Sequence, residues 1–321
     1  MIKEISIPKL KEPVFIAAWP GMGEVAYRSA LFLREVLGFK MFAKLDSSKF
    51  FKPAAVIVEN GVISMPKTPS GIFYYLKRKG MPEVILFMGE AQPPLEYAEI
   101  MSSEIIRFVK KYNAKRVFTF AAKPESIDHK SAPRVWISAT HEDVIKEFLG
   151  YKTQTLKDGQ ISGLNGILLG VAKKRKMKGI CLLGEIPFYT VQIENSKTCI
   201  AVLQVMEKYL NVKFDLSPLK ERSKVIEEEI DRLINYIKGD EMAEQAPSPL
   251  SENDIDKIKK DLAAYTKLPQ SAREKIEVLF SAAKKDISQA NVLKAELDRW
   301  HVYKEYEDRF LDLFKRGDHA H

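Results

Sequence analysis

Apolar positions along the chain follow two periods. Val14 to Ala18 is a continuous run of branched, aromatic and small apolar side chains, and the residues after Gly23 switch to helical spacing, with Val25, Ala26, Ser29, Ala30 and Leu33 on one face. Between them lies the corner Pro20-Gly-Met-Gly23. The pattern predicts strand, glycine turn and helix, the opening of an α/β unit.

The same alternation of periods continues downstream. Residues 1–12 read as a short edge strand and lead-in, and Gly38 stands where a C-cap would end the first helix. Strands are expected at Lys40 to Leu45, Gly71 to Tyr75, Val84 to Met88, Arg116 to Phe120, Val135 to Ser138 and Gly179 to Leu183. A hairpin is expected from Ala54 to Glu59 and Val62 to Met65 across Asn60-Gly61, the strongest two-residue turn signal. Helices are expected at Leu95 to Tyr112, Glu142 to Leu149, Ile167 to Lys174 and Ser196 to Tyr209. Apolar strands separated by helices imply an α/β fold, a mostly parallel sheet flanked by helices, because parallel strands need crossovers and are buried on both faces.

The character changes after Leu216. Ser217-Pro218 starts a helix whose apolar positions Leu219, Ile226, Ile230, Leu233 and Ile237 recur until Gly239. Residues 240–250, with Pro247 and Pro249 among small and acidic residues, read as a linker. Short amphipathic helices then follow, one opening at Ser251-Glu-Asn-Asp254 and the last carrying Leu293, Leu297, Trp300 and Phe310. The expected organisation is an α/β domain over 1–216, a connecting helix over 217–239, the linker, an all-helical extension over 251–316 and a disordered tail over 317–321.

Composition narrows the class without naming a function. The 321 residues, 45% of them apolar and 10% aromatic, suffice for a large α/β core plus a smaller unit. No apolar run reaches the roughly twenty residues of a membrane span, and Met1 to Ser6 includes an acid and no apolar signal core, so a cytoplasmic protein without membrane association is expected. The net charge of +8 has its densest expression in Lys173-Lys-Arg-Lys-Met-Lys178. That run closes a helix, where cations complement the dipole, and lacks interleaved aromatics, so nucleic acid is not the expected partner. Cys181 and Cys199 lie in apolar surroundings without Cys-x-x-Cys spacing and read as buried free thiols.

The glycine corner invites a cofactor reading, since Gly21, Gly23 and Ala26 fit Gly-x-Gly-x-x-Ala and Asp46 follows about twenty residues on, as a ribose-binding acid would. Two details oppose it. Glu24 is expected in the first helical turn, where it suits the dipole and repels a phosphate, and Pro20 restricts Trp19 to extended geometry. No cofactor is therefore expected. Five histidines, His129, His141, His301, His319 and His321, offer no ligand pair at helical spacing within an ordered element, so no metal is expected. No Gly-x-Ser-x-Gly elbow occurs and neither cysteine neighbours a histidine, so no catalytic residue is assigned. The loops following the strands should nevertheless gather at one sheet edge. Their candidate ligand or partner residues are Pro20, Gly21, Met22, Gly23, Glu24, Glu90, Gln92, Asn165, Glu185 and Tyr189.

Four motifs in order, Pro13 to Gly23, Leu86 to Pro94 with Gly-Glu-Ala-Gln-Pro, Ile161-Ser-Gly-Leu-Asn-Gly166 and Gly184-Glu-Ile-Pro-Phe-Tyr189, resemble the PAC2 family, named for a proteasome assembly chaperone, in its prokaryotic branch. The resemblance covers roughly residues 10–215. It implies an α/β sandwich similar to the purine nucleoside phosphorylase and hydrolase-like folds, a non-catalytic role as assembly chaperone or interaction scaffold, and association with itself or with a multisubunit protein partner. Proteasome-binding relatives often end in a hydrophobic-Tyr-any residue tail. This chain ends Asp318-His-Ala-His321, with Ala320 at the penultimate place, and departs from that pattern. The alternative is an enzyme or binder of a nucleotide or phosphorylated metabolite at the carboxyl edge of the sheet.

Overall fold

The computed structural model describes residues 2–238, 270–299 and 302–315. They form two compact units, one of residues 2–123, 129–186 and 190–238, the other of 124–128, 187–189 and the described part of 246–321. The expected linker at 240–250, the helix opening at Ser251, Trp300, His301, His319 and His321 lie outside the described residues.

The strands are β1 (Ile2–Glu4), β2 (Val14–Ala18), β3 (Lys40–Leu45), β4 (Ile57–Glu59), β5 (Val62–Ser64), β6 (Gly71–Leu76), β7 (Val84–Gly89), β8 (Arg116–Glu125), β9 (Val135–Ala139), β10 (Thr153–Thr155) and β11 (Lys178–Pro187). The helices of the first unit are α1 (Val25–Leu37), α2 (Leu95–Lys110), α3 (Glu142–Leu149), α4 (Leu164–Lys174), α5 (Ser196–Leu210) and α6 (Ser217–Lys238).

Nine strands make one mixed sheet in the order β1-β3-β6-β7-β2-β8-β11-β9-β10. Its centre is parallel. β2 pairs in parallel with β7 and with β8, and β11 advances with β8, Gly179 lying against Val117 and Cys181 beside Thr119. Antiparallel strands β6, β3 and β1 extend one side. On the other side β9 runs against β11, and β10 pairs in parallel with β9. The α/β architecture flanked by helices, with helices following at the C-terminus, agrees with the pattern of the sequence.

β2 shows why these residues make a central strand. All five are buried, and alternate side chains enter two different cores. Val14, Ile16 and Ala18 face the core that takes Ala26, Ala30 and Leu33 of α1 and Val202, Leu203 and Met206 of α5. Phe15, Ala17 and Trp19 face the aromatic core of Phe42, Phe73, Phe87 and Phe108, closed by α2 and α4. Each large side chain so buried contributes about 1.5–3 kcal/mol relative to exposure. Burial also pushes both thiols, Cys181 and Cys199, up to about 12.

Two details differ from the pattern, while the expected hairpin across Asn60-Gly61 forms. β8 and β11 run past Phe120 and Leu183 to Pro-containing ends, because Ala122 and Ile186 keep the inward alternation going. β10 is a polar Thr-Gln-Thr edge strand with no apolar signal to reveal it. β4 and β5 pair only with each other, across Asn60 (φ 50°) and Gly61 (φ 79°), and stand apart from the main sheet.

α6 packs on α5 through buried Ile226 and Ile230. Its polar face meets the chain at His129 Nε2, 2.9 Å from Asp231, and at Lys197, 2.7 Å from Glu227. The basic run at the end of α4 is partly neutralised: Lys174 pairs with Glu99 at 2.7 Å and Lys178 pairs with Asp143. Among the described residues no helix is long and apolar enough to cross a membrane.

In the second unit α7 (Gln270–Lys285), α8 (Ala290–Arg299) and α9 (Tyr303–Lys315) bury Ile276, Phe280, Leu293, Leu297 and Phe310 together. Asp286 caps the turn before α8 by accepting from the Ser288 N–H at 3.0 Å, and Arg309 lies 4.1 Å from the Phe280 ring centre.

Gly89, at the end of β7, leaves no room for a side chain, since a Cβ there would lie 2.3 Å from the Trp19 indole nitrogen. Gly89→Ala is expected to lower stability by about 1–3 kcal/mol through forced displacement of the indole. Urea denaturation followed by tryptophan fluorescence measures this, and an unchanged midpoint would contradict the packing described.

Candidate functional site

Three loops meet beyond the carboxyl ends of β2 and β7, and one side chain joins them. Gln92 donates from Nε2 to the Pro20 carbonyl at 2.7 Å and accepts at Oε1 from the Leu164 N–H at 3.0 Å. It thereby satisfies a donor at the start of α4, where the chain supplies no other side-chain cap. Asn165 makes a second clasp, accepting from the Trp19 N–H at 3.3 Å and donating to the Trp19 carbonyl at 3.4 Å. Both amides flank Gly21.

The corner itself is a 3₁₀ turn, Met22–Glu24, that depends on backbone rarely adopted by L side chains: Gly23 has φ 61° and Glu24 φ 50°. The Gly23 N–H donates to the Val191 carbonyl at 2.7 Å, its carbonyl accepts from the Asn195 N–H at 2.9 Å, and the Glu24 N–H donates to Gly21. Two N–H groups that a phosphate would need are therefore already engaged. Glu24 stands at the N-cap of α1, ahead of the first turn where the sequence put it, and makes no side-chain cap. Its left-handed backbone turns the carboxylate to Arg28, 2.7 Å away, which also meets Glu194 at 3.1 Å. A shallow hollow of about 420 Å³ opens beside the corner, lined by Pro20, Gly21, Met22, Glu24, Val191 and Gln192. A carboxylate and an exposed methionine dominate its rim.

Pro20, Gly21, Gln92 and Asn165 thus come together, with Met22, Gly23 and Glu24 beside them. The remaining candidates are engaged elsewhere. Glu90 accepts from the Ser70 N–H at 2.7 Å while its own N–H donates to the Ser70 carbonyl at 2.9 Å, and those hydrogen bonds hold its carboxyl below the usual range. Glu185, with a side chain only 1% exposed, receives Arg134 Nη2 at 2.8 Å, Arg134 Nε at 3.0 Å and Trp136 Nε1 at 2.8 Å. Burial pushes its carboxyl up, but the Arg134 and Trp136 hydrogen bonds and the guanidinium charge outweigh that and hold it below the usual carboxylate range. Tyr189 groups with the second unit, edge-on to Phe188 at 5.5 Å. Asp46, placed by sequence where a ribose acid would stand, closes a local turn on Ser48 instead.

Sequence reasoning missed Val191 and Gln192, which lie in a turn without motif, and the Arg134-Val-Trp136 pair. The latter was open to detection, because residues two apart on a strand share a face. Among the described residues no group of three or more His, Cys, Asp or Glu is placed to hold a metal ion.

The PAC2 family matches the chain over residues 15–234. An uncharacterized protein of Methanocaldococcus jannaschii is 25% identical over 250 residues, 78% of this chain and 93% of its own. Among solved structures, Pyrococcus furiosus PbaB, an archaeal proteasome activator, is 28% identical with a TM-score of 0.63, covering 73% of this chain and 98% of that one. Pyrococcus furiosus PbaA, an archaeal homologue of proteasome-assembly chaperone, is 25% identical with a TM-score of 0.58, covering 74% and 93%.

Gln92→Ala is expected to cost about 1–3 kcal/mol by stranding the Pro20 carbonyl and Leu164 N–H together. Chemical denaturation reads it, and full stability would show that the clasp is incidental. Glu185 supplies an acid-sensitive contribution. Because its folded pKa is depressed, that stability is fully present above the unfolded carboxyl value of about 4.3 and is lost as pH falls through the lower folded value. Thermal melts across pH 2–6 should therefore show a smaller pH dependence for Glu185→Gln, and identical pH slopes would contradict the assignment.

Proposed function

Since the chain belongs to the PAC2 family, we propose that it is a non-catalytic assembly chaperone or interaction scaffold, which associates with itself and engages a multisubunit protein partner of the proteasome kind. The observation that carries this reading is the closed corner: Gln92, Asn165 and the Val191 and Gly21 carbonyls take up the hydrogen-bonding groups from which a phosphate cradle would be built. What the edge offers outward is apolar contact surface, with exposed Met22 and, at the first position of α2, exposed Leu95. PbaB and PbaA, both named for proteasome activation or assembly, support the same direction. The helices after α6 supply additional surface that such a partner would use.

Light scattering on the purified chain, combined with binding to isolated proteasome α subunits, tests the proposal. The expected result is a self-associated species that retains α subunits through washing, and a monomer that retains none overturns it. A thermal-shift panel of nucleotides and phosphorylated metabolites is expected to leave Tm unchanged, whereas a site filled at a hundred times its Kd would add about 2.7 kcal/mol. A shift abolished by Gly23→Val but untouched by changes in α7 to α9 would favour a small-molecule site instead.

A further inference from the structure

The ribbon β4–β5 has no counterpart in the chemistry of the corner. It joins the end of β3 to the start of β6, and its root is fastened to the sheet by the paired Ser70 and Glu90 hydrogen bonds. The register sets Val58 opposite Ile63, and side chains opposite one another share a face. By alternation, Val56 and Met65 continue that face. Its four members are Val56 (49% exposed), Val58 (62%), Ile63 (68%) and Met65 (65%), while Glu59 and Ser64 fall on the other side with Ile57 and Val62. A two-stranded hairpin is marginal in water by itself and gains stability only when such a face is covered.

We propose that this arm docks on the same arm of a second copy of the chain, apolar face to apolar face and antiparallel about a two-fold axis. The inference rests on the self-association reading given above and names its surface. Two features of the arm select a second copy. The face is uniformly apolar, hence complementary to itself, as an isologous contact requires. Charge is also graded along the ribbon: between Lys52 and Lys67 at the root, the one charged residue is Glu59 beside the tip. Antiparallel stacking brings each tip to the other root, so the Glu59 of each copy, although it leaves the ribbon on the side away from the contact, lies nearer the lysines of the other than its acid. Parallel stacking would set acid against acid and lysine against lysine. Pro53 and Pro66 flank the strands and limit the conformational entropy lost on docking.

The test uses the full chain. Val58→Lys with Ile63→Lys adds charge outside both sheet cores, so an unchanged Tm verifies the fold while sedimentation reads association, expected to weaken about tenfold or more. Ile63→Cys supplies a cysteine outside the buried pair Cys181 and Cys199 and should give a disulfide-linked dimer under mild oxidation. Glu59→Lys and the pair Lys52→Glu with Lys67→Glu should each weaken association alone and restore it when mixed. Association unaffected by Val58→Lys with Ile63→Lys overturns the arm and leaves the self-association reading standing. Weakening by those lysines without any effect of the tip and root charges overturns the antiparallel docking. A wild-type chain that remains monomeric at every soluble concentration, yet binds α subunits, overturns the arm and self-association but not the chaperone role.

Discussion

The side-chain amide of Gln92 lies 72 residues from each of its two partners, the Pro20 carbonyl and the Leu164 N–H. It fixes the distance between the end of β2, whose side chains enter both cores, and the start of α4, which closes the aromatic one. An amide suits this task because one terminal group donates and accepts at once, in a fixed plane, without the desolvation cost of a charge. A carboxylate in the same place would meet the Pro20 carbonyl with no proton to offer. Asn165 repeats the device on the backbone of Trp19, whose indole fills the space left open by Gly89. Corner, aromatic core and the start of α4 are in this sense one construction.

The acids around this edge have each been given a local task. Glu24 meets Arg28, Glu90 secures Ser70, and Glu185 is enclosed by Arg134 and Trp136. Arg134 and Lys123 also approach the Trp136 ring, at 5.4 Å and 4.6 Å. Carboxylates poised for proton transfer are commonly raised toward neutrality, whereas Glu90 and Glu185 are both held down. Their chemistry is that of anchored anions.

Much of the central sheet was legible because burial on both faces writes an unbroken apolar run, as in Val14 to Ala18 and Val84 to Met88. The glycine corner and the Asn60-Gly61 turn were legible for a different reason, since positive φ restricts residue choice. Thr153 to Thr155 was not, because an edge strand can be held by backbone pairing alone and so leaves no apolar trace. Convergence of Pro20, Gly21, Gln92 and Asn165 followed from topology, but which carboxylates would turn away did not. Glu185 is diverted by a strand neighbour 51 residues earlier, a relation that no local pattern carries. The proximity of Val191 to Gly23 likewise arises from a backbone hydrogen bond, to which side-chain identity is indifferent.

Gly23 is clasped from both sides of its own residue, giving its N–H to Val191 and taking one from Asn195, and Asn195 is in turn the N-cap of α5 through Thr198. The turn and the segment leading into α5 are therefore joined through a single residue. Displacing Met22 would therefore have to break backbone hydrogen bonds on both sides of Gly23, and with them the start of α5, before the corner could open.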